Sequence, residues 1–356
     1  MMTNTYDALV AHGTNDLRID HLPLPQPKSD EAVIDVRFGG ICGSDLHYWK
    51  HRRVGDSVLK EPMILGHEVV GIVRTQASDG SGPRSGTPVA LHPATVCGRC
   101  EYCLGGRQNL CTELRYMGSA ARLPHTPGGF AERLLVATQR LVEIPSNLDM
   151  RVAALAEPAA IAWHAIGRVA SLGRHVGSQR VLVIGAGPIG LLAIAVLRRA
   201  RAREIIASDV YDRPLRVTEL VGATSIVKAG NAREELATKK PEIVIECSGS
   251  PHGIAAALTI AKPGGLIVSV GQLPRDGLHA PLHLAVTREL TLTGSSRLYG
   301  ELPAVLEALA DGSLDVAPII SDIYPLEDAE EAFTKAADAS ESSKVLIDFA
   351  NSGSRQ

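Results

Sequence analysis

The chain has 356 residues, 45% of them hydrophobic and 21% charged, with a formal net charge of −3 at pH 7. That length exceeds one comfortable core and implies two domains. Balanced charge without single-sign runs, and only 4% aromatics, argue against nucleic-acid and membrane-surface binding and against base stacking.

In chain order, residues 1–10 hold no basic segment followed by an apolar run, so no secretory signal is read there and a cytoplasmic protein is expected. Residues 32–38 alternate as a strand does. Short runs at 69–74, 88–92 and 133–142 are separated by turn-rich stretches such as 78–88. Residues 1–150 therefore form a mostly β lobe in this reading. Within it, Cys42 follows Gly39-Gly-Ile, and His67 with Glu68 lies in Leu65-Gly-His-Glu-Val-Val-Gly71; Glu157 comes much later, in Ala156-Glu-Pro158. A lone Cys is usually a small buried residue, and a lone His-Glu pair a hydrogen-bonded one. Together they suggest a mixed S/N/O zinc site with three protein groups and one open position.

Cys97, Cys100, Cys103 and Cys111 have the spacing C-x2-C-x2-C-x7-C. Disulfides between such near neighbours would be strained, and a cytosolic chain keeps its thiols reduced. Four thiolates on one short loop suit a closed, tetrahedral structural zinc site holding a lobe at about 92–115. The x7 gap and the missing Pro after the fourth Cys fit an iron–sulfur cluster poorly.

The pattern changes at Arg180. The longest uncharged stretch, 181–197, is interrupted by glycines and a proline and is too short to span a membrane. It divides into an apolar strand at 181–184, the turn Gly185-Ala-Gly187-Pro188-Ile189-Gly190, and a helix to about 200. A strand–glycine turn–helix is the context in which GxGxxG binds a dinucleotide pyrophosphate. Asp209, 19 residues past Gly190, suits the ribose hydroxyls and disfavours a 2′-phosphate, which points to NAD; the bland alternative is a turn cap. Arg213 and Arg216 leave room for NADP. Strands at 225–227, 242–246 and 265–270 alternate with helices at 233–239 and 251–261, as in a right-handed parallel sheet covered on both faces. The domains expected are 1–150, 151–290, and a tail, 291–356, returning to the first lobe. No internal repeat is present.

These residues resemble the zinc-containing medium-chain dehydrogenases over essentially the whole chain. Gly39-Gly-Ile-Cys-Gly-Ser-Asp-Leu-His47, Gly66-His-Glu68 with Gly71, the four-Cys loop, Ala156-Glu-Pro158 and the glycine turn carry the likeness. Cys42-Gly-Ser-Asp-Leu-His-Tyr-Trp49 is similar to the polyol branch, the sorbitol dehydrogenases. Gly118-Ser-Ala, Leu123-Pro-His, Gly128-Gly-Phe130 and Gly294-Ser-Ser-Arg297 are more similar to the L-idonate 5-dehydrogenases.

The resemblance implies an α/β chain, a GroES-like β-rich catalytic domain plus a Rossmann doubly wound parallel-sheet domain, with the active site between them. It implies one catalytic and one structural zinc per chain. Cys42 and His67 bind the catalytic ion, while Glu68 and Glu157 compete for the remaining place, one of them through water. Ser44 takes the substrate proton, which passes by the cofactor ribose to His47 and solvent, and a hydride goes to the nicotinamide. Cofactor contacts fall on Gly185, Gly187, Pro188, Ile189, Gly190, Asp209, Arg213, Val270, Gly271, Gln272, Ser295, Ser296 and Arg297. Ser44, Tyr48, Glu157 and Arg297 face the substrate. Tyr48 is either a donor or an aromatic wall, and Arg297 grips either a carboxylate or the cofactor and domain interface.

The expected reaction is NAD-dependent oxidation of L-idonate to 5-keto-D-gluconate, with a sorbitol/xylitol-type polyol dehydrogenase as the alternative and threonine dehydrogenase further off. A homo-oligomer, dimer or tetramer, is expected. The chain departs from the family where Gly86-Thr-Pro-Val89 replaces Gly-Asp-Arg-Val, and where Pro214 replaces the adenosine-side Arg of sorbitol dehydrogenases, with Arg213 one residue earlier. A non-catalytic zinc-ribbon module would need basic flanks around the cysteines, and Glu101 and Glu113 stand there instead.

Overall fold

A computed structural model describes residues 5–275 and 279–350. The first half opens on an antiparallel hairpin, Thr5–Gly13 with Asp16–Pro23. A seven-stranded sheet follows, in the path order Leu141–Glu143, Pro88–Leu91, Glu68–Thr75, Glu31–Gly40, Lys344–Asp348, Ile320–Pro325, with Arg133–Ala137 also paired to Glu31–Gly40. The run expected at 133–142 is broken by a 3-10 turn, Thr138–Arg140, because the chain crosses from one strand to another there.

The second half is a six-stranded sheet, all parallel: Ser225–Lys228, Glu204–Asp209, Arg180–Ile184, Ile243–Glu246, Leu266–Ser269, Thr291–Gly294. In sequence order this is 3-2-1-4-5-6, whose reversal point lies at the carboxyl end of the first strand, where the glycine turn sits. The two central strands are apolar over 181–184 and 243–245, because helices cover both faces there. The helix expected at 233–239 is only Ala232–Glu235.

The expected return of the chain at 291 is late by one strand and one helix. Thr291–Gly294 completes the parallel sheet, and Leu302–Ala310 packs on Ala156–Ser171. Only Ile320–Pro325 and Lys344–Asp348 rejoin the first sheet. The physical reason is that Leu302, Val305, Leu306 and Leu309 need the apolar flank of the parallel half.

The helix Ala156–Ser171 joins the halves. Its fully buried Ala159, Ala160, Ala162 and Ala165 belong to one core that runs from Val70 and Ala90 of the first sheet to Val181 and Leu266 of the second. Small side chains let both neighbours approach closely.

Candidate active site and metal centres

Strand register performs the first assembly step. Glu31–Gly40 runs into Cys42, and its antiparallel pairing sets Gly40 opposite Glu68, so Cys42 and His67 leave the sheet at one edge. Asp45, fully buried, ties the two segments together. One of its carboxylate oxygens accepts the Cys42 amide at 2.9 Å and the other the Gly66 amide at 3.0 Å. Gly66 has φ of +90°, and a Cβ there would stand 2.2 Å from the fully buried Phe130 ring. Glycine alone satisfies both demands.

Cys42, His67 and Glu68 can each bring a ligand atom to within 4.8 Å of the others. His67 Nδ1 is buried with no hydrogen-bond partner, unusual for a core histidine. Burial pulls the His67 pKa down, yet the charges of Cys42, Asp45 and Glu157 hold it well above the ordinary value. A buried cage that favours positive charge this strongly fits a divalent metal.

The two glutamates are held differently, which the sequence motifs do not show. Lys344 Nζ lies 2.9 and 2.7 Å from the two Glu68 oxygens and donates to the Ile41 carbonyl at 2.9 Å. The pair is almost fully buried, at 2% and 1% side-chain exposure. Both Glu68 oxygens are thus engaged from behind by a cation. Glu157, in the first turn of Ala156–Ser171, accepts from the Tyr116 hydroxyl at 2.5 Å, and burial raises its pKa to about 7. Removing Lys344 would leave the Glu68 carboxylate buried and unpaired. Lys344→Met is expected to cost about 3–5 kcal/mol of stability, measured as a shift in the urea midpoint; a loss below about 1 kcal/mol would mean that Glu68 readily finds another partner.

Ser44 and His47 lie on the helix Gly43–His51, Ser44 half-buried in its first turn and His47 exposed one turn on. Partial desolvation of the ring against the helix, then the neighbouring His51 at 5.7 Å between ring centroids, lowers the His47 pKa, which favours a neutral ring able to accept a proton. Tyr48 is placed differently from its neighbours. It is 2% exposed, and its oxygen accepts the Ala120 amide at 2.9 Å. It anchors the segment after Gly118 within the core.

Tyr116 is the residue that motif reading missed. Its ring meets His67 edge-on at 5.6 Å, and the exposed Arg297 guanidinium carbon stands 5.5 Å from its centroid. Arg297, Tyr116, Glu157 and the Cys42/His67 pair therefore form a continuous line of polar groups.

The four cysteines converge as expected. All four sulfurs lie within 4.8 Å of one another, with Cys97–Cys111 at 3.5 Å and Cys97–Cys103 at 3.9 Å. Zinc–sulfur bonds of about 2.3 Å give tetrahedral edges of about 3.8 Å, so the cage fits the ion. Amides of Thr112 and Cys103 lower the Cys100 pKa to about 6, which favours the thiolate.

The cofactor candidates gather at the carboxyl ends of the parallel strands. Gly185 has φ of +92°, and a Cβ there would meet the Ser248 amide at 2.7 Å; at Gly190 it would meet the Gly185 carbonyl at 1.8 Å. At Gly187, the cap of Pro188–Arg199, a Cβ would project into open space. That leaves bare backbone and a helix N-terminus for a pyrophosphate. Val270 and Gly271 donate to the Glu246 carbonyl at 2.8 and 3.0 Å, and Gln272 reaches toward Gly55 across the cleft. Ser295 Oγ and Arg213 Nη1 are buried without partners. Asp209 accepts the Ala186 amide at 2.6 Å and the Tyr211 amide at 2.9 Å, so it braces the glycine turn as well as capping its own.

Comparison with known proteins gives the family. Residues 28–146 match the alcohol dehydrogenase GroES-like domain, and residues 188–311 the zinc-binding dehydrogenase family. The chain is 36% identical to the Escherichia coli (strain K12) L-idonate 5-dehydrogenase (NAD(P)(+)), across 89% of this chain and 92% of that protein. It is 34% identical to the Bos taurus sorbitol dehydrogenase, across 92% and 91%. The crystal structure of L-idonate 5-dehydrogenase from Escherichia coli superposes with a TM-score of 0.91 at 33% identity, covering 97% of this chain and 98% of that one.

Proposed function

Because the chain belongs to the zinc-containing GroES-like alcohol and polyol dehydrogenases, we propose that it oxidises the C5 hydroxyl of an aldonate, with L-idonate giving 5-keto-D-gluconate and NAD the preferred acceptor. The observation that carries the aldonate reading is Arg297, an exposed cation with no ion pair among the described residues, held over Tyr116 at the mouth of the metal site. A guanidinium there can take a carboxylate bidentately, which a neutral polyol cannot offer.

When bound, zinc lowers the pKa of the substrate hydroxyl and the nicotinamide accepts the hydride. The protein supplies the rest. Cys42 and His67 would hold the metal, and Glu157, on the helix that joins the two halves, is the carboxylate assigned to it. Ser44 Oγ accepts the hydroxyl proton while handing its own onward by way of the cofactor ribose hydroxyl, and the neutral, exposed His47 receives a proton from that relay and releases it to solvent. Asp45 keeps the two ligand segments in register, and Tyr116 orients Glu157. Asp209 favours NAD, while the unpartnered Arg213 nitrogen leaves a place for NADP. A homo-oligomer, dimer or tetramer, accompanies this assignment.

No helix among the described residues is long and apolar enough to cross a membrane, in keeping with a cytoplasmic enzyme. The neutral-polyol reading draws support from the sorbitol dehydrogenase likeness. The deciding experiment follows NAD(P)H formation by zinc-replete protein with L-idonate, D-gluconate, sorbitol, xylitol and L-threonine, under each cofactor. Preferential turnover of L-idonate is expected; turnover of xylitol or sorbitol alone would move the substrate to the neutral polyols.

A further inference from the structure

We propose that Asn109, carried on the four-cysteine loop, positions Arg297 for the substrate carboxylate, so that the metal-stapled lobe takes part in substrate recognition. The proposal rests on the role given to Arg297 above. Asn109 is 9% exposed, and its Nδ2 donates to the Ser296 carbonyl at 3.0 Å, 187 residues away in sequence. A second tie follows three residues on. His92 Nδ1 accepts the Ala94 amide at 3.3 Å, so Nε2 carries the hydrogen and donates to the Tyr299 carbonyl at 3.1 Å. On the other side, the Ser295 amide is held by the Ser269 carbonyl at 2.9 Å.

Arg297 lies between these ties with φ of +59°, a left-handed conformation unfavourable for a residue with a Cβ. Such a backbone persists only where its surroundings over-determine it. Packing of Leu298 in the core supplies only part of that constraint. Leu298 is buried, but a cavity of about 510 Å³, lined among others by His92, Gln108, Asn109, Arg140, Leu298 and Tyr299, lies beside the loop. With the Asn109 donor removed, the Ser296 carbonyl is free to turn toward this space. Arg297 then relaxes to the ordinary right-handed region, and its guanidinium leaves the Tyr116 face.

The test uses Asn109→Ala and the shape-conserving Asn109→Asp, which removes the donor. Either change should raise KM for L-idonate about fivefold to tenfold, with kcat within about twofold and KM for xylitol unchanged. Zinc content should stay at two ions per chain. In the Arg297→Ala background the same changes should add nothing, as expected for residues acting as one unit. Amide hydrogen exchange gives a readout independent of turnover: it should quicken over 295–299 and stay constant over 97–111. Equal exchange over 295–299, additive KM effects, or an equal rise in KM for xylitol would overturn the Asn109 assignment. If Arg297→Ala itself leaves KM for L-idonate unchanged, the aldonate reading falls and takes the Asn109 role with it. If Arg297→Ala acts and Asn109→Ala does not, only the Asn109 role falls.

Discussion

Cys42→Ser is expected to lower kcat/KM by on the order of 10³-fold or more while the protein stays folded. A serine hydroxyl is not ionised at neutral pH and is a poor ligand for a soft-leaning ion. The loss of metal assistance is worth several kcal/mol, and each factor of ten in rate corresponds to about 1.4 kcal/mol. The fold should hold, because a serine at the N-cap of the helix Gly43–His51 can fill the same place in its capping box, and the Asp45 bond to the residue 42 amide does not need the sulfur. Steady-state kinetics with metal analysis should show one zinc lost per chain and a nearly unchanged thermal midpoint. A variant that kept more than about a tenth of its turnover would remove the metal from the mechanism.

Cys100→Ser should have the opposite signature. The cysteine loop contains only the short helical turns Glu101–Leu104 and Gln108–Leu110, and Leu104 is 76% exposed. With so little packing of its own, the loop depends on the ion for shape, and structural zinc binding is folding free energy. The thermal midpoint should fall by on the order of 10 °C, with aggregation and loss of the second zinc. The catalytic zinc, measured on the soluble fraction, should remain. A fully stable, soluble variant would show that the loop holds itself without metal.

Much of this architecture was legible because its signals are local. The glycine turn needs three glycines at fixed offsets, and the cysteine spacing is dictated by a single ion. What stayed hidden depends on partners distant in sequence. Asp45 has the look of an ordinary surface charge on a short helix, yet it is wholly buried because its two acceptor oxygens replace missing backbone partners of Cys42 and Gly66. Lys344 begins an apolar strand without any local hint that a glutamate 276 positions earlier awaits it. Tyr116 stands just outside the cysteine motif, and only folding brings its hydroxyl to Glu157. The motif left Tyr48 open between a donor and an aromatic wall; its ring lies inside a hydrophobic cluster, where a Tyr commonly spends its hydroxyl on a backbone group.

The way the helix Ala156–Ser171 spans both halves bears on recombination between relatives. A chimera crossing over near 150 would inherit Glu157 from the donor of the cofactor half and Cys42, His67 and Tyr116 from the other parent. One crossing over at 291 would take its sixth parallel strand, and Arg297 with it, from a different parent than the five strands beside it. Neither junction exchanges a self-sufficient module. Exchanges that keep 156–171 and 291–310 with the parallel sheet cut fewer packed contacts, but they still split the metal site between parents. Cofactor preference in this scaffold is therefore better altered by single substitutions around Asp209 and Arg213 than by transplanting a whole half.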